Sequence, residues 1–269
     1  MNGVDWIPTD RRLVFGHRGG SRLAPENTIA AFDRAVAEGV DGLELDVRLS
    51  KDGQVVVCHD ARVDRTSNTT GAIADMTADQ LARVDAGYRF SPGDLSYPFR
   101  WRGFGVPTLA EVLARYPRLP FIVEMKDNPR AMAEATVDLV RAARATDRVC
   151  LGAFPNAVLR HARRDGPEIV TSASSGEVLR AMVTASAGRL PPCRRYQALQ
   201  VPERRRRLRV VTPRLVRAAR RAGVPVQVWI VDGAEDIRRL LDWGVQAIVT
   251  DRPDIAVPAV AAWRREHGD

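Results

Sequence analysis

Residues 39–60 read GVDGLELDVRLSKDGQVVVCHD, in which two β-rich runs flank a short polar turn. In the first run, apolar residues alternate with Glu44 and Asp46, which is the period of a strand with one apolar and one acidic face. The turn contains an Asp-Gly pair, a hairpin signal, and it is too short for a crossover helix. We therefore expect an antiparallel hairpin that turns at residues 51–52 and brings His59 opposite residues near Glu44.

Short apolar runs alternate with amphipathic stretches along the rest of the chain. This alternation indicates a mostly parallel sheet, and eight or nine strands in 269 residues fit a (β/α)8 TIM barrel better than an open sheet. We expect an α/β fold and a single domain over residues 1–269, with the hairpin at the barrel mouth. The expected strands are 13–15, 42–47, 55–58, 121–125, 149–154, 169–172, 198–201, 226–231 and 247–250. The expected helices are 27–38, 108–116, 129–145, 156–164, 176–187, 212–222 and 234–243.

A segment at residues 61–105 breaks the alternation. It is rich in Gly, Pro, Ser and aromatic residues, and it is too long for a simple connection, so we interpret it as an insertion over the barrel mouth. Its rings either pack the insertion onto the barrel or line a groove for an acyl chain. We favour packing, because an uncovered aromatic patch would promote aggregation. The rings are those of Tyr88, Phe90, Tyr97, Phe99, Trp101 and Phe104.

The net charge of +8 comes almost entirely from arginine. Three interpretations stay open: nucleic-acid binding, the arginine- and alanine-rich composition of a GC-rich genome, and a field that attracts anionic substrates. The densest run, residues 203–209, contains five arginines and is either a solvated loop or a rim patch for an anionic headgroup.

The sequence contains few features that indicate a cellular compartment. No apolar stretch reaches the length of a membrane span, and the first twelve residues lack the apolar region of a signal peptide. Cys58, Cys150 and Cys193 show no paired spacing, which indicates reduced thiols. We expect a cytoplasmic protein.

Polar residues follow the predicted strands where the strands end, which is where active sites of barrels are built. They supply imidazoles, carboxylates and cations, the set that metal-assisted attack on a phosphate ester requires. His161, in a predicted helix among arginines, is instead expected to be solvated. The strand-end residues are His17, Asp46, His59, Glu124, Lys126, Asp232 and Asp251.

The chain resembles glycerophosphodiester phosphodiesterases nearly from end to end, with motifs in a specific order and spacing. These motifs are GHRGG at 16–20, APENTIAAF at 24–32, the segment at 39–60 quoted above, DRTSNTTG at 64–71, VPTLAEVL at 106–113, FIVEMK at 121–126, VWIVD at 228–232 and GVQAIVTDRPD at 244–254.

The resemblance implies a metal site and an acid–base pair. Glu44, Asp46 and Glu124 would be the carboxylate ligands of a divalent cation, and an all-oxygen set suits Mg²⁺ or Ca²⁺. His17 and His59 would be the general acid and base, since histidine serves either role near neutral pH.

The resemblance also implies that Arg18 and Lys126 contact the phosphate. Lys126 can equally be a salt-bridge partner of Glu124 and Asp127, and both roles can hold together. Glu26 and Asn27, in the PENT stretch, either orient Arg18 or the metal ligands, or serve the following helix as first-turn charge and cap.

Trp229 resembles the family's aromatic floor under the alcohol part of the substrate, although a core position is an alternative. The chain departs from the family pattern at Asp232, where asparagine is usual. We expect this carboxylate to lie at the mouth, where it would alter headgroup preference.

The resulting hypothesis is metal-dependent hydrolysis of a small-molecule glycerophosphodiester to glycerol 3-phosphate and an alcohol such as choline, ethanolamine or glycerol. The nucleophile, water or the neighbouring glycerol hydroxyl, stays open. One alternative is a lysophospholipase D on the same scaffold, which would need an acyl groove. Another is a non-catalytic barrel that binds anions or nucleic acid. We expect no nucleic-acid partner and no membrane span, and the sequence does not indicate an oligomeric state.

Overall fold

A computed structural model describes residues 6–8, 10–127, 129–190 and 195–268. In these residues the strands are β1 (Leu13–His17), β2 (Gly42–Leu49), β3 (Val55–Val57), β4 (Phe121–Met125), β5 (Val149–Gly152), β6 (Val170–Thr171), β7 (Leu199–Pro202), β8 (Arg204–Arg205), β9 (Leu208–Arg209), β10 (Val226–Trp229) and β11 (Ala247–Thr250). The helices are α1 (Ile29–Glu38), α2 (Ala78–Leu81), α3 (Leu109–Arg115), α4 (Pro129–Ala142), α5 (Asn156–Asp165), α6 (Ser175–Ser186), α7 (Pro213–Arg221), α8 (Ala234–Asp242) and α9 (Pro253–His267), with a 3-10 turn at Ile73–Asp75.

Eight parallel strands form the barrel in the order β6, β5, β4, β2, β1, β11, β10, β7. The circle closes between β6 and β7 through a parallel bridge of Ser172 with Ala198, and the amide of Ala173 donates to the carbonyl of Ala198 at 2.9 Å. Strand β3 pairs antiparallel with β2, with Val47 opposite Val57. The expected (β/α)8 TIM barrel with a hairpin at its mouth is confirmed.

Alternation along each strand sorts side chains into two cores. On β1, Leu13 and Phe15 belong to the cluster inside the barrel, and His17 takes the next inward position. Trp6 adds to the interior cluster, with its ring centroid 5.9 Å from that of Phe15. The opposite faces of the strands pack under the helices, as Leu45 does. Inward positions are therefore apolar at the amino-terminal end of the barrel and polar at the other.

The loop between β1 and α1 passes very close to the helix. Gly19 has a φ of +82°, and a Cβ on it would lie 2.7 Å from the backbone of Ala31, so glycine is required there. Thr28 caps α1 by accepting a hydrogen bond from the amide of Ala31. The cap role considered for Asn27 is therefore wrong, because Asn27 lies one residue too early.

The insertion at 61–105 builds a small core of its own against β3. Val63, Ile73 and Leu81 are buried together with Val56 of that strand. Its aromatic rings pack mainly on one another: Phe90 on Phe99, Phe99 on Phe104, and Tyr88 on Trp101, at centroid distances of 5.3, 5.9 and 5.4 Å.

Several boundaries differ from the sequence-based expectation. Helix α9 was not predicted, because Pro258 interrupts its pattern and its apolar residues follow no regular period. The run at 203–209 was expected as a loop and contains the short hairpin of β8 and β9. Strands β5 and β10 end two residues earlier than predicted, at Gly152 and Trp229.

No helix in the described part of the chain is long and apolar enough to cross a membrane. Cys58 and Cys150 are buried free thiols, and Cys193 lies outside the described residues.

Candidate active site

Three neighbouring strands bring the predicted acidic residues together. Strand pairing places His17 opposite Glu44, and Asp46 opposite Glu124. Because Glu44 and Asp46 are two residues apart, both face the barrel interior, and apolar neighbours occupy the other face. Glu44, Asp46 and Glu124 each offer a carboxylate oxygen, and these oxygens lie within 4.8 Å of one another.

Asp46 is the most deeply buried of the three carboxylates, with 1% of its surface exposed. Its Oδ2 lies 3.0 Å from both Arg18 Nε and Asn27 Nδ2, and its Oδ1 lies 3.0 Å from Lys126 Nζ. Burial raises the pKa of Asp46, but the positive charges of Arg18 and Lys126 outweigh this effect and lower it. Asp46 therefore stays ionised inside the protein.

The loop after β1 adopts an unusual conformation to reach Asp46. Arg18 and Asn27 both have left-handed backbones, with φ of 50° and 57°. The amide of Arg18 donates to Glu44 Oε2 at 3.1 Å, and its guanidinium pairs with Glu26 at 2.9 Å. Glu26 and Asn27 thus contact Arg18 and Asp46 rather than α1. Such strain persists only where surrounding contacts enforce it, and it concentrates at functional sites.

The carboxyl group of Glu44 has a raised pKa. Burial raises the pKa of Glu44 to about 7, and the neighbouring charges of Asp46 and Glu124 contribute to the rise. The positive charges of His17 and Arg18 oppose this rise but do not outweigh it. A hard divalent cation with a preference for oxygen ligands fits this set of donors.

His17 is held between two carboxylates. Its Nδ1 lies 2.6 Å from Asp251 Oδ1, and its Nε2 lies 3.8 Å from Glu44 Oε2. Burial opposes protonation, but Glu44 and Asp251 outweigh it and raise the pKa of His17. From the sequence, Asp251 was identified only as a polar residue at the end of a predicted strand. Its pairing with His17 spans 234 positions, which no local pattern reveals.

The carboxylate of Asp232 is hydrogen-bonded within the protein. Its Oδ1 accepts hydrogen bonds from the hydroxyl of Thr250 at 2.9 Å and from the amide of Asp251 at 2.8 Å. The carboxylate is therefore engaged with the end of β11 and holds the residue that contacts His17. An effect of Asp232 on headgroup preference stays a prediction.

His59 depends on the insertion. Its Nδ1 lies 2.7 Å from Asp60 Oδ1, and the other oxygen of Asp60 lies 2.5 Å from Arg65 Nε. Arg65 also binds both oxygens of Glu26, at 2.7 and 2.8 Å. Arg65 thereby connects the support of His59 to Glu26, the partner of Arg18. Sequence reasoning missed Arg65, although it lies in the quoted motif DRTSNTTG.

Lys126 is a salt-bridge partner inside the cluster, with Nζ 2.8 Å from Glu124 and 3.0 Å from Asp46. Burial lowers the pKa of Lys126, but Asp46 and Glu124 outweigh it and the pKa is raised. Asp127, the other partner considered, pairs with Arg48 instead. Arg48 also donates to the backbone carbonyl of His59 at 2.9 Å.

Trp229 lies at the carboxyl end of β10 and is half-buried. It packs against the interior cluster and makes an edge-to-face contact with Phe154, at a centroid distance of 6.0 Å. The ring of Phe154 in turn lies 5.7 Å from Lys126 Nζ. Trp229 thus joins the barrel core and the aromatic rim beside the cluster.

The closed barrel with titratable residues gathered at the carboxyl ends of its strands defines an enzyme of the (β/α)8 class. Residues 17–255 match the Glycerophosphoryl diester phosphodiesterase family. A glycerophosphodiester phosphodiesterase of Caldanaerobacter subterraneus subsp. tengcongensis is 31% identical over 255 residues, which cover 93% of this chain and 98% of the relative.

Solved structures of phosphodiesterases are also similar to this chain. A glycerophosphodiester phosphodiesterase of Agrobacterium tumefaciens superposes with a TM-score of 0.75 at 28% identity, covering 91% of this chain and 98% of that one. An Oleispira antarctica phosphodiesterase in complex with the product sn-glycerol-3-phosphate shares the fold, with a TM-score of 0.75 at 23% identity over 94% of this chain and 98% of that one. The chain belongs to the glycerophosphoryl diester phosphodiesterase family and is a phosphodiester hydrolase.

The contact of His17 with Asp251 leads to a prediction about titration. Asp251→Asn should lower the pKa of His17, because it removes one of the two carboxylates that favour the imidazolium. NMR titration can follow this, since the chain has only four histidines. Asp254→Asn makes the same charge change in an aspartate paired with Arg252 and should leave His17 unchanged. An unaltered titration of His17 in Asp251→Asn would contradict the assignment.

Proposed function

We propose that this enzyme hydrolyses glycerophosphodiesters to glycerol 3-phosphate and an alcohol, and that it needs a divalent cation, Mg²⁺ or Ca²⁺. The convergence of Glu44, Asp46 and Glu124 beside His17 carries the proposal. The Oleispira antarctica relative, solved with sn-glycerol-3-phosphate, supports the choice of product.

In this proposal Glu44, Asp46 and Glu124 hold the cation. When bound, it polarises a phosphate oxygen and stabilises the charge that develops in the transition state. The closeness of the three carboxylates supports this role, because their oxygens lie within 4.8 Å of one another and a hard divalent cation prefers such a set of oxygen donors.

Two cations of the chain complete the phosphate site. Arg18 and Lys126 are oriented by Asp46, and neither salt bridge uses all of their donors. Both can therefore donate to phosphate oxygens while they stay paired with the carboxylates. The aromatic edge of Trp229 and Phe154 lies next to Lys126 and would contact the alcohol part of the substrate.

The histidines move the protons. One of His17 and His59 would deprotonate the nucleophile and the other would protonate the leaving oxygen. Each has its Nδ1 within hydrogen-bond distance of an aspartate, Asp251 for His17 and Asp60 for His59. The carboxylate fixes the tautomer, so that Nε2 is the atom that exchanges a proton with substrate.

The lysophospholipase D alternative is less well supported, because Phe90, Phe99 and Phe104 of the insertion pack on one another and only Tyr97 and Trp101 of the six rings are exposed. The cytoplasm stays our predicted compartment, and Cys58 and Cys150, which are free thiols, are compatible with it.

Cation binding should compete with a proton on Glu44. In the folded protein this carboxyl holds its proton up to about pH 7, whereas the unfolded chain releases it near pH 4.5. Without a cation, stability should therefore fall as the pH rises between these values. Mg²⁺ or Ca²⁺ should raise the melting temperature more at pH 8 than at pH 5.5. The test is thermal unfolding with EDTA or cation, with Glu124→Gln as the variant that should lose the effect. Equal stabilisation at both pH values would count against the proposed site.

The histidine roles predict large losses of turnover. His17→Ala and His59→Ala should each lower kcat for glycerophosphocholine by about 10²–10⁴-fold, the usual contribution of general acid–base catalysis. His161→Ala, on helix α5, is the control and should keep normal turnover. The assay measures glycerol 3-phosphate and choline, with lysophosphatidylcholine as a parallel substrate. Normal kcat in either site variant would refute that residue's role, and faster turnover of the lysolipid would favour the alternative function.

Arg65 should act on catalysis mainly by positioning His59, because it binds Asp60, the partner of that histidine. Arg65→Ala should lower kcat by roughly 10–100-fold, as is common when a group that orients an active-site side chain is lost, with KM nearly unchanged. In the His59→Ala background the same change should have a much smaller effect, because the histidine is gone and only the contact of Arg65 with Glu26, the partner of Arg18, remains to be lost. Arg62→Ala, which removes an exposed arginine paired with Asp64, is the matched control. Additive losses in the double variant would show that Arg65 acts elsewhere.

A further inference from the structure

The hairpin formed by β8 and β9 contains the arginine run at 203–209, which the proposed reaction does not use. It follows directly after β7, so it leaves the barrel at the end where active sites are built. Pro202, the last residue of β7, pairs in register with Trp229 of β10. The hairpin therefore begins next to the aromatic edge of the candidate active site.

Four arginines of this hairpin, Arg204–Arg207, are exposed. Among the described residues, none of them has a carboxylate within ion-pair distance. Glu203, the single acidic residue of the segment, already binds the guanidinium of Arg239 through both oxygens, at 3.0 and 2.9 Å. The hairpin thus presents a dense positive charge that the protein itself does not compensate.

Exposed apolar side chains lie beside this charge. Leu208 follows the four arginines and is 53% exposed. Ile230 and Phe154, 45% and 50% exposed, leave the carboxyl ends of β10 and β5, and Phe154 contacts Trp229. These side chains therefore share the mouth end of the barrel with the arginines.

We propose that this hairpin docks the enzyme onto an anionic lipid bilayer, with the barrel mouth turned toward the headgroups. Clusters of four or more arginines or lysines are attracted to anionic lipid surfaces, and apolar side chains among them gain by entering the headgroup region. A nucleic acid would satisfy the charge, but its phosphate backbone offers no apolar environment for Leu208 and Ile230. Bilayer binding needs no turnover, so it can be tested apart from the proposed function.

The test is co-sedimentation of the full chain with vesicles of phosphatidylcholine alone or mixed with phosphatidylglycerol. Binding should require phosphatidylglycerol and should weaken as salt is raised, because salt screens surface charge. R204Q/R205Q/R206Q/R207Q should weaken binding by at least about 100-fold, since each arginine near an anionic surface contributes roughly a factor of five. Leu208→Asn should weaken it without a change of charge.

The matched control is R118Q/R144Q/R160Q/R217Q, which replaces four exposed arginines outside the hairpin. Both quadruple variants remove four positive charges and so lower the net charge from +8 to +4. Hydrolysis of soluble glycerophosphocholine reports that the hairpin variant is folded.

Three outcomes would overturn the proposal. The first is equal loss of vesicle binding in the two quadruple variants, which would make it an effect of net charge. The second is binding of the unmodified protein to an RNA oligonucleotide more tightly than to the vesicles, with no effect of Leu208→Asn. The third is no vesicle binding at low salt.

Discussion

Asp46 is a carboxylate almost removed from water, and the arrangement of the site follows from what its burial requires. A buried charge is tolerated only when partners replace the hydration it has lost. Arg18 supplies a charge and Asn27 a hydrogen-bond donor to one oxygen, and Lys126 supplies a charge to the other. These partners come from the loop after β1 and from the end of β4. The two non-glycine residues of that loop with left-handed backbones, Arg18 and Asn27, are both partners of Asp46, so the strain of this loop serves the carboxylate cluster.

The two histidines are supported by different parts of the fold. Asp251, the partner of His17, follows β11, which pairs with β1 over four residues, so this contact is built into the barrel. His59 is held by Asp60 and, through it, by Arg65 at the start of the insertion. Arg65 is half-exposed, and its bond to Glu26 is the link between the insertion and the loop after β1. A change in the insertion can therefore reach His59 while His17 stays fixed.

Local patterns predicted the features that depend on neighbouring residues. The alternation around Glu44 predicted the acidic inner face of β2, and the helix expected over 212–222 is present as α7, capped by Thr212. Contacts between distant residues were beyond such patterns. Asp251 reaches His17 across the seam between the last and first strands, and Asp232 accepts a hydrogen bond from the amide of Asp251 after the next strand. The positions of the proposed ligands were thus predictable, whereas the groups that orient His17 were not.

The interior of the site is acidic, whereas its rim is basic. The interior contains three carboxylates close together, and burial, with the charges of Asp46 and Glu124, raises the pKa of Glu44. The rim contains Arg204–Arg207 without acidic partners among the described residues. A phosphodiester is an anion, so ionised carboxylates in the site repel it. A cation held by these carboxylates, as we propose, would remove that repulsion, and the substrate would in turn favour the cation by the same coupling energy. The two should therefore bind cooperatively.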